Sequence, residues 1–337
     1  MKRILSGMRP SGKLHVGHYF GALNNWVNLQ DSYECYYMIA DWHALTSEYA
    51  NPGELQENIS EMVIDWLASG INPNKSVLFR QSEVKEHAEL HLLLSMIIPL
   101  PWLERCPTYK EQLQEIKDRD LSTYGFLGYP VLQAADILIY KAEFVPVGED
   151  QLPHLELSRE IARRFNNFYG SPRPCTQERG KILPEPQALL TETAKLPGVD
   201  GRKMSKSYNN AIYLSDSEEG VTEKVRNMFT DPQKIRIDDP GHPETSGCVV
   251  YAFYQALAPH FFEKVRGECE KGKIGCVACK KELAVILNHF LEPFRKRRKE
   301  LASDPEKIKK ILLQGKEKAQ IVAQKTMAEV RKAMNLQ

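Results

Sequence analysis

The sequence has no apolar run approaching the roughly 18 residues that cross a bilayer, and its opening stretch, MKRILSGM, lacks the long apolar core of a secretion signal. It has almost no net charge: 45 Lys and Arg against 44 Asp and Glu leave +1 over 337 residues. Cysteines are few, seven in all, and there is no internal repeat or low-complexity segment. The first absence argues against a helical membrane protein and predicts a soluble, cytoplasmic one. The second excludes a uniformly basic coat, so any contact with nucleic acid must come from local patches. The third argues against a disulfide scaffold; in a reducing compartment these cysteines are expected as thiols or metal ligands.

What is present is a chain that is 42% hydrophobic and long enough for two domains. Short apolar runs alternate with amphipathic ones, the pattern of an α/β fold with a parallel sheet covered by helices. RILSGM (3–8), CYYMIAD (35–41), SVLFRQ (76–81) and EFVPVG (143–148) predict strands. Helices are expected from Val16, with Phe20, Leu23 and Val27 on the same face, and over 55–67, 86–98, 131–140 and 150–166, the last capped by Asp150. Pro99, Pro101 and Pro107 mark an insertion at about 100–130, and residues 170–202 read as loop. From about 212 the pattern is helical without strands, which puts a domain change near 200.

Three motifs carry chemistry. In GMRPSGKLHVGHYFGAL (7–23) a strand runs into a glycine-containing turn and then a helix, presenting backbone N–H groups and the positive end of a helix dipole to an anion such as phosphate. Gly12 and Gly17 permit close approach, and His15 and His18, three apart, can donate hydrogen bonds to phosphate oxygens. In GRKMSKSYNN (201–210), Lys203 and Lys206, with Ser205 and Ser207, lie on a loop able to close over a polyphosphate. Cys248, Cys269, Cys276 and Cys279 form the third, the last three spaced Cys-x6-Cys-x2-Cys. Zinc and a 4Fe-4S cluster both satisfy this spacing. Cys35, Cys106 and Cys175 have no evident partners and read as structural.

PSGKLHVGH and KMSKS resemble the two signature motifs of class I aminoacyl-tRNA synthetases, and SGMRPSGKLHVGHYFGAL, Asn25-Trp26, AADILIY and VPVGEDQ resemble the tryptophanyl-tRNA synthetase family. The resemblance implies a Rossmann-like nucleotide-binding domain over 1–200, whose insertion is a dimer contact. It implies a helical anticodon-binding domain over 201–337 and a homodimer. The implied reaction is ATP plus tryptophan to tryptophanyl-adenylate, then transfer to tRNA(Trp), with Mg2+ on the ATP oxygens. His15, His18, Lys203 and Lys206 match the catalytic positions, the lysines holding pyrophosphate. Arg9, Pro10, Ser11, Gly17, Gly148, Glu149, Asp150, Leu196, Met204, Ser205 and Ser207 border the nucleotide in this reading, with Lys110 a further phosphate candidate. A subset of bacterial members carries a 4Fe-4S cluster on a similar cysteine run, which implies one here, with zinc as the alternative. Lys271, Lys273, Lys280, Lys281 and RKRRK (295–299) are expected to supply the local basic surface for tRNA.

For the amino acid, Asp136 matches the carboxylate that accepts the indole N–H, and Tyr129, Gln151 and His43 match groups around its ammonium and carboxylate. A tyrosyl-tRNA synthetase would also carry Asp136 and Gln133, but its first-strand Tyr is replaced here by Leu5, which favours tryptophan. Many tryptophanyl members have an aromatic residue at the position of Leu5 and Met at that of Gln133. A nucleotidyltransferase of the same fold would not need KMSKS in this context, and an RNA-binding iron–sulfur sensor would have damaged phosphate loops. All four catalytic positions are filled here.

Overall fold

The computed structural model describes residues 1–107, 109–110, 113, 120–170, 180–190 and 196–336, without the side chains of Asp150 and Ser207. Four strands form where apolar runs predicted them: β1 (Arg3–Met8), β2 (Glu34–Ile39), β3 (Ser76–Arg80) and β4 (Phe144–Val147). A fifth, β5 (Gln187–Leu190), lies in the stretch read as loop. It is short, pairs only with β4 and leaves Gln187 and Leu190 exposed, so no apolar run announced it. The sheet is parallel throughout, in the order β3-β2-β1-β4-β5. Strand order therefore reverses between β1 and β4, and the crevice beyond their carboxyl ends is where such a sheet takes its ligand.

The first helix, α1, is composite: an α turn (Val16–His18), a π-helical turn (Tyr19–Leu23) and an α segment (Asn24–Leu29). The wide π turn rotates the remainder of the helix about its axis. Val16 and Leu23 are buried as expected, but Trp26 rather than Val27 enters the core, stacked on Tyr37 at 4.5 Å. Then come α2 (Asp41–Glu48), α3 (Leu55–Ala68), α4 (Glu86–Ser95), α5 (Leu100–Glu104), α6 (Tyr124–Ile139) and α7 (Leu152–Tyr169). In α3 the buried face carries Ile59, Met62, Val63 and Trp66, as its spacing predicts, whereas Leu55, expected on the same face, is only half-buried at the helix start. Two boundaries differ from expectation. α6 begins at Tyr124 rather than near 131, because Thr123 caps it by accepting the Phe126 N–H and Pro130 is accommodated inside. A 3-10 turn over Glu149–Gln151 precedes α7, so its N-cap falls on Gln151 and not on Asp150.

Beyond residue 212 the described elements are helices: α8 (Glu218–Arg226), α9 (Val249–Leu257), α10 (Pro259–Glu270), α11 (Cys276–Ala302) and α12 (Pro305–Ala333). The last two pack back on the sheet side of the molecule. α12 lies against β3 and α4, its Ala319, Ala323, Met327 and Val330 sharing an apolar cluster with Phe79, Leu90 and Leu94. Gly315 makes this approach possible, since a Cβ there would run into the carbonyl oxygen of Leu78. α11 packs on α3, and here the expected basic surface needs correction. Arg297 donates to the carbonyl of Ala68 at 2.8 Å, Arg298 pairs with Glu61 at 2.6 Å and with buried Asp65, and Arg295 bonds Asn288 at 3.1 Å. Arg295 and Arg298 are thus drawn partly inward, while Lys296, Arg297 and Lys299 remain exposed.

Candidate active site

The chain leaves β1 and turns at Gly12, whose φ of +128° only glycine adopts freely. His15 then caps the helix in an unusual reciprocal way. Its Nδ1 accepts the backbone N–H of His18 at 3.3 Å, and His18 Nδ1 accepts the backbone N–H of His15 at 3.2 Å. The rings stack at 3.7 Å. With both Nδ1 atoms accepting, each neutral imidazole carries its proton on Nε2, free to donate. Burial and the neighbouring His18 bring His15 down to about 3, and burial brings His18 down to about 4. A nitrogen-15 NMR titration should therefore find both rings neutral, protonated on Nε2, down to about pH 5; an inflection near the ordinary value of about 6.5 would refute the assignment. Gly17 is required for this arrangement as well as for any ligand, because a Cβ would sit 2.9 Å from His15 Nδ1.

A segment almost 200 residues later is brought to the same place. The Val16 N–H donates to Ile212 O and the Leu214 N–H to Leu14 O, both at 2.9 Å, so residues 212–214 lie beside the histidine loop. The lysine loop just before them is latched by buried Asn210, which accepts the Ser205 N–H at 2.8 Å and donates to Asp200 at 2.7 Å and Lys203 O at 3.1 Å. Met204 Sδ comes within 3.5 Å of the point where a Gly17 Cβ would lie, and Lys206 Nζ within 3.1 Å of that point at Gly12. The Lys206 ammonium and the Met204 side chain thus reach the imidazole-bearing loop at the mouth of the first crossover, while Lys203 is exposed.

Next to them, at the carboxyl ends of β1, β2 and β4, opens a cavity of about 430 Å³. All six side chains expected around the amino acid line it: Leu5, His43, Tyr129, Gln133, Asp136 and Gln151. Arg9 and Gly148 of the expected nucleotide border line it too, whereas His15, His18, Lys203 and Lys110 do not. Pro10, Leu196 and Met204 are buried; Ser11 and Glu149 are exposed. At the cavity's wall, Asp136 is 2% exposed and its carboxylate is saturated with donors. Gln81 Nε2 reaches Oδ1 at 2.9 Å and Oδ2 at 3.0 Å, His87 Nδ1 reaches Oδ1 at 2.6 Å, and His43 Nε2 reaches Oδ2 at 2.8 Å. Burial alone would raise this carboxyl, but the hydrogen bonds from His43 and His87 outweigh it and bring it to about 2. The cavity therefore offers a fixed, ionised acceptor in a wall of mixed polar and apolar side chains.

Residues 1–292 match the family described as tRNA synthetases class I (W and Y). The tryptophan–tRNA ligase of Thermotoga maritima is 52% identical, covering 99% of both chains, and that of Aquifex aeolicus is 49% identical, covering 99% of this chain and 100% of its own. Among solved structures, the tryptophanyl-tRNA synthetase of Campylobacter jejuni complexed with ADP and tryptophan superposes with a TM-score of 0.86 at 34% identity, covering 99% of each. The chain belongs to the class I tRNA synthetases. Within them it is a tryptophan–tRNA ligase, which activates tryptophan with ATP and transfers it to tRNA. A tyrosyl-tRNA synthetase of Archaeoglobus fulgidus, at 21% identity and a TM-score of 0.64, shares the fold.

The synthetase's second feature is a small apolar cavity of about 30 Å³ among α9, α10 and α11, lined by Cys248, Cys269, Cys276 and Cys279 with Tyr254, Val265 and Ile274. None of the four is in a disulfide. Among the described residues no three His, Cys, Asp or Glu side chains meet at one point fit to hold a metal ion. Cys35 and Cys106 are buried, as a structural role requires, and Cys175 lies outside the described residues.

Sequence reasoning missed Gln81, His87, Tyr140, Asn210 and Asp65, all buried polar residues that shape the synthetase site. Two had a visible signal. Gln81 immediately succeeds β3, at the ligand edge of the sheet, and His87 interrupts the apolar face of α4.

Proposed function

We propose that tryptophanyl-adenylate forms where the cavity meets the histidine and lysine loops. Tryptophan enters the 430 Å³ cavity and gives its indole N–H to Asp136, with Leu5 and Gln133 beside the ring and Tyr129, Gln151 and His43 near the polar end. ATP lies along Arg9, Pro10, Ser11, Gly17, Gly148, Glu149, Asp150 and Leu196. The Nε2–H groups of His15 and His18 donate to its phosphate oxygens as neutral dipoles. Lys203 and Lys206, with Met204, Ser205 and Ser207, close over the departing pyrophosphate. Mg2+ arrives on the ATP oxygens, which suits an ion that keeps few protein ligands. No general base is needed, because the substrate carboxylate is already the nucleophile; positioning and charge stabilisation lower the barrier.

The observation that carries this reading is the approach of Lys206 Nζ to Gly12 and of Met204 to Gly17, which lets one triphosphate touch both loops. The C. jejuni complex with ADP and tryptophan supports the same pair of ligands here. Tryptophan-dependent exchange of labelled pyrophosphate into ATP, with tyrosine as control, tests it. His18→Ala and Lys206→Ala should each lower the exchange rate by about 10²-fold or more with the KM for tryptophan little changed; an unchanged rate in both would overturn the assignment.

The remaining parts of the reading concern assembly. A two-part division at about residue 200 is supported by the change from sheet to helices. A homodimer through the region at 100–130 is supported by exposed Leu92 (54%), Met96 (65%), Leu100 (58%) and Tyr124 (70%) on adjoining elements. For the cysteines, four soft donors line one small apolar cavity without meeting at a common point, so a 4Fe-4S cluster would need their side chains to close round it; bound there, it would supply a structural brace for the anticodon region. Anaerobically purified protein should be brown with a broad visible band; a colourless preparation with one zinc per chain would overturn the cluster. Cys276→Ser should impair tRNA charging more than adenylate formation, and equal loss in both would reduce the site to a folding role.

A further inference from the structure

We infer that His87 is a positioning residue for tryptophan selection, holding the Asp136 carboxylate charged and aimed through a fixed chain of donors that begins at Tyr140. The inference rests on the reading of Asp136 as the indole acceptor. His87 is completely buried and does not line the cavity, so it touches no substrate. Its Nδ1 lies 2.6 Å from Asp136 Oδ1 and its Nε2 lies 2.7 Å from Tyr140 Oη. Tyr140 is itself fully buried, stacked on Tyr36 at 5.0 Å and set edge-on to Phe79 at 5.3 Å. In that apolar enclosure the phenol keeps its proton and donates it to Nε2. A neutral His87 receiving there must carry its own proton on Nδ1, which points at Asp136. The tautomer is thereby fixed by packing.

The two histidines on Asp136 thus differ in kind. His43 lines the cavity and shares Oδ2, so it is the donor that an entering indole N–H can join or displace. His87 and Gln81 grip the carboxylate from behind and stay. Without His87 the carboxylate keeps its place in the helix but loses one of the two donors that grip it from behind. Selection of an N–H over an isosteric group then weakens.

The test is pyrophosphate exchange by the full chain with tryptophan and with β-(3-benzothienyl)alanine, in which sulfur replaces the indole N–H. For His87→Leu, kcat/KM for tryptophan should fall about tenfold or more, that for the sulfur analogue should change less than about threefold, and the KM for ATP should hold. His87→Asn, whose amide nitrogen falls near the Nδ1 position, should recover most of the preference, and Tyr140→Phe should lose part of it while keeping the imidazole. An unchanged preference in both His87→Leu and Tyr140→Phe, while Asp136→Asn abolishes it, would overturn the role of His87. If Asp136→Asn also left the preference intact, the indole assignment itself would fail. Should His87→Leu not fold, Tyr140→Phe alone decides, by a loss of preference or its absence.

Discussion

Asp136→Asn raises the KM for tryptophan by about two orders of magnitude and leaves the KM for ATP within about twofold. The reason lies in the donors around the carboxylate. Gln81 Nε2 reaches both oxygens, His87 one and His43 the other. Turned with its NH2 toward His87, an asparagine amide would face the Nδ1–H of that imidazole; turned toward His43, it would force the other tautomer there, and either way the indole would lose an ionised acceptor. Varying tryptophan at saturating ATP in the exchange assay measures this directly, and an unaltered KM would refute the role. The carboxyl lies at about 2, below its ordinary value of about 3.9. The stability it contributes is therefore present above about pH 4 and lost as pH falls through about 2, and tryptophan affinity should show no dependence on this group at neutral pH.

Arg298→Met should destabilise the protein by about 3–5 kcal/mol, because it leaves the carboxylate of Asp65 buried without its cation. Asp65 is completely buried on α3, pairs with Arg298 of α11 and accepts the Leu14 N–H at 3.0 Å. Burial pushes its carboxyl up to about 6 even against the pull of Arg298. For a carboxyl raised in this way, stability is greatest while it is protonated and is lost as pH rises through about 6, so the defect of the variant should be deeper at pH 8 than at pH 5. Denaturant midpoints at the two pH values check the sign. Because Leu14 precedes His15, the KM for ATP should rise as well. Adding Asp65→Asn should recover much of the loss; a double variant as unstable as the single one would show that Arg298 acts through Glu61 alone.

Most of the sheet was legible because strands buried on both faces read as continuous apolar runs: Ile4, Tyr37, Ile39, Leu78 and Phe79 are all in the core. β5 was not, since an outer strand of four residues with an exposed glutamine carries no such run. The cavity residues became legible through the family's motifs, and all six line one cavity. Others behind them were hidden because a buried polar residue in a loop, such as Asn210, is indistinguishable in sequence from a surface position. RKRRK misled for the opposite reason. A basic run reads as surface, but helical spacing turns Arg295 and Arg298 toward Asp216 and Asp65, and nothing in the run itself names those partners.

The seating of α12 against the outer strand has a consequence for how the molecule is made. β3 borders the sheet, and until the helix carrying Gly315 docks there, the outward peptide groups of that strand stand bare, open to pairing with any other extended chain. Every strand leaves the ribosome before that helix does. Completion of the catalytic half thus waits on a helix made after all five strands, and a nascent polypeptide stalled near residue 300 would be a sticky intermediate rather than a finished first domain.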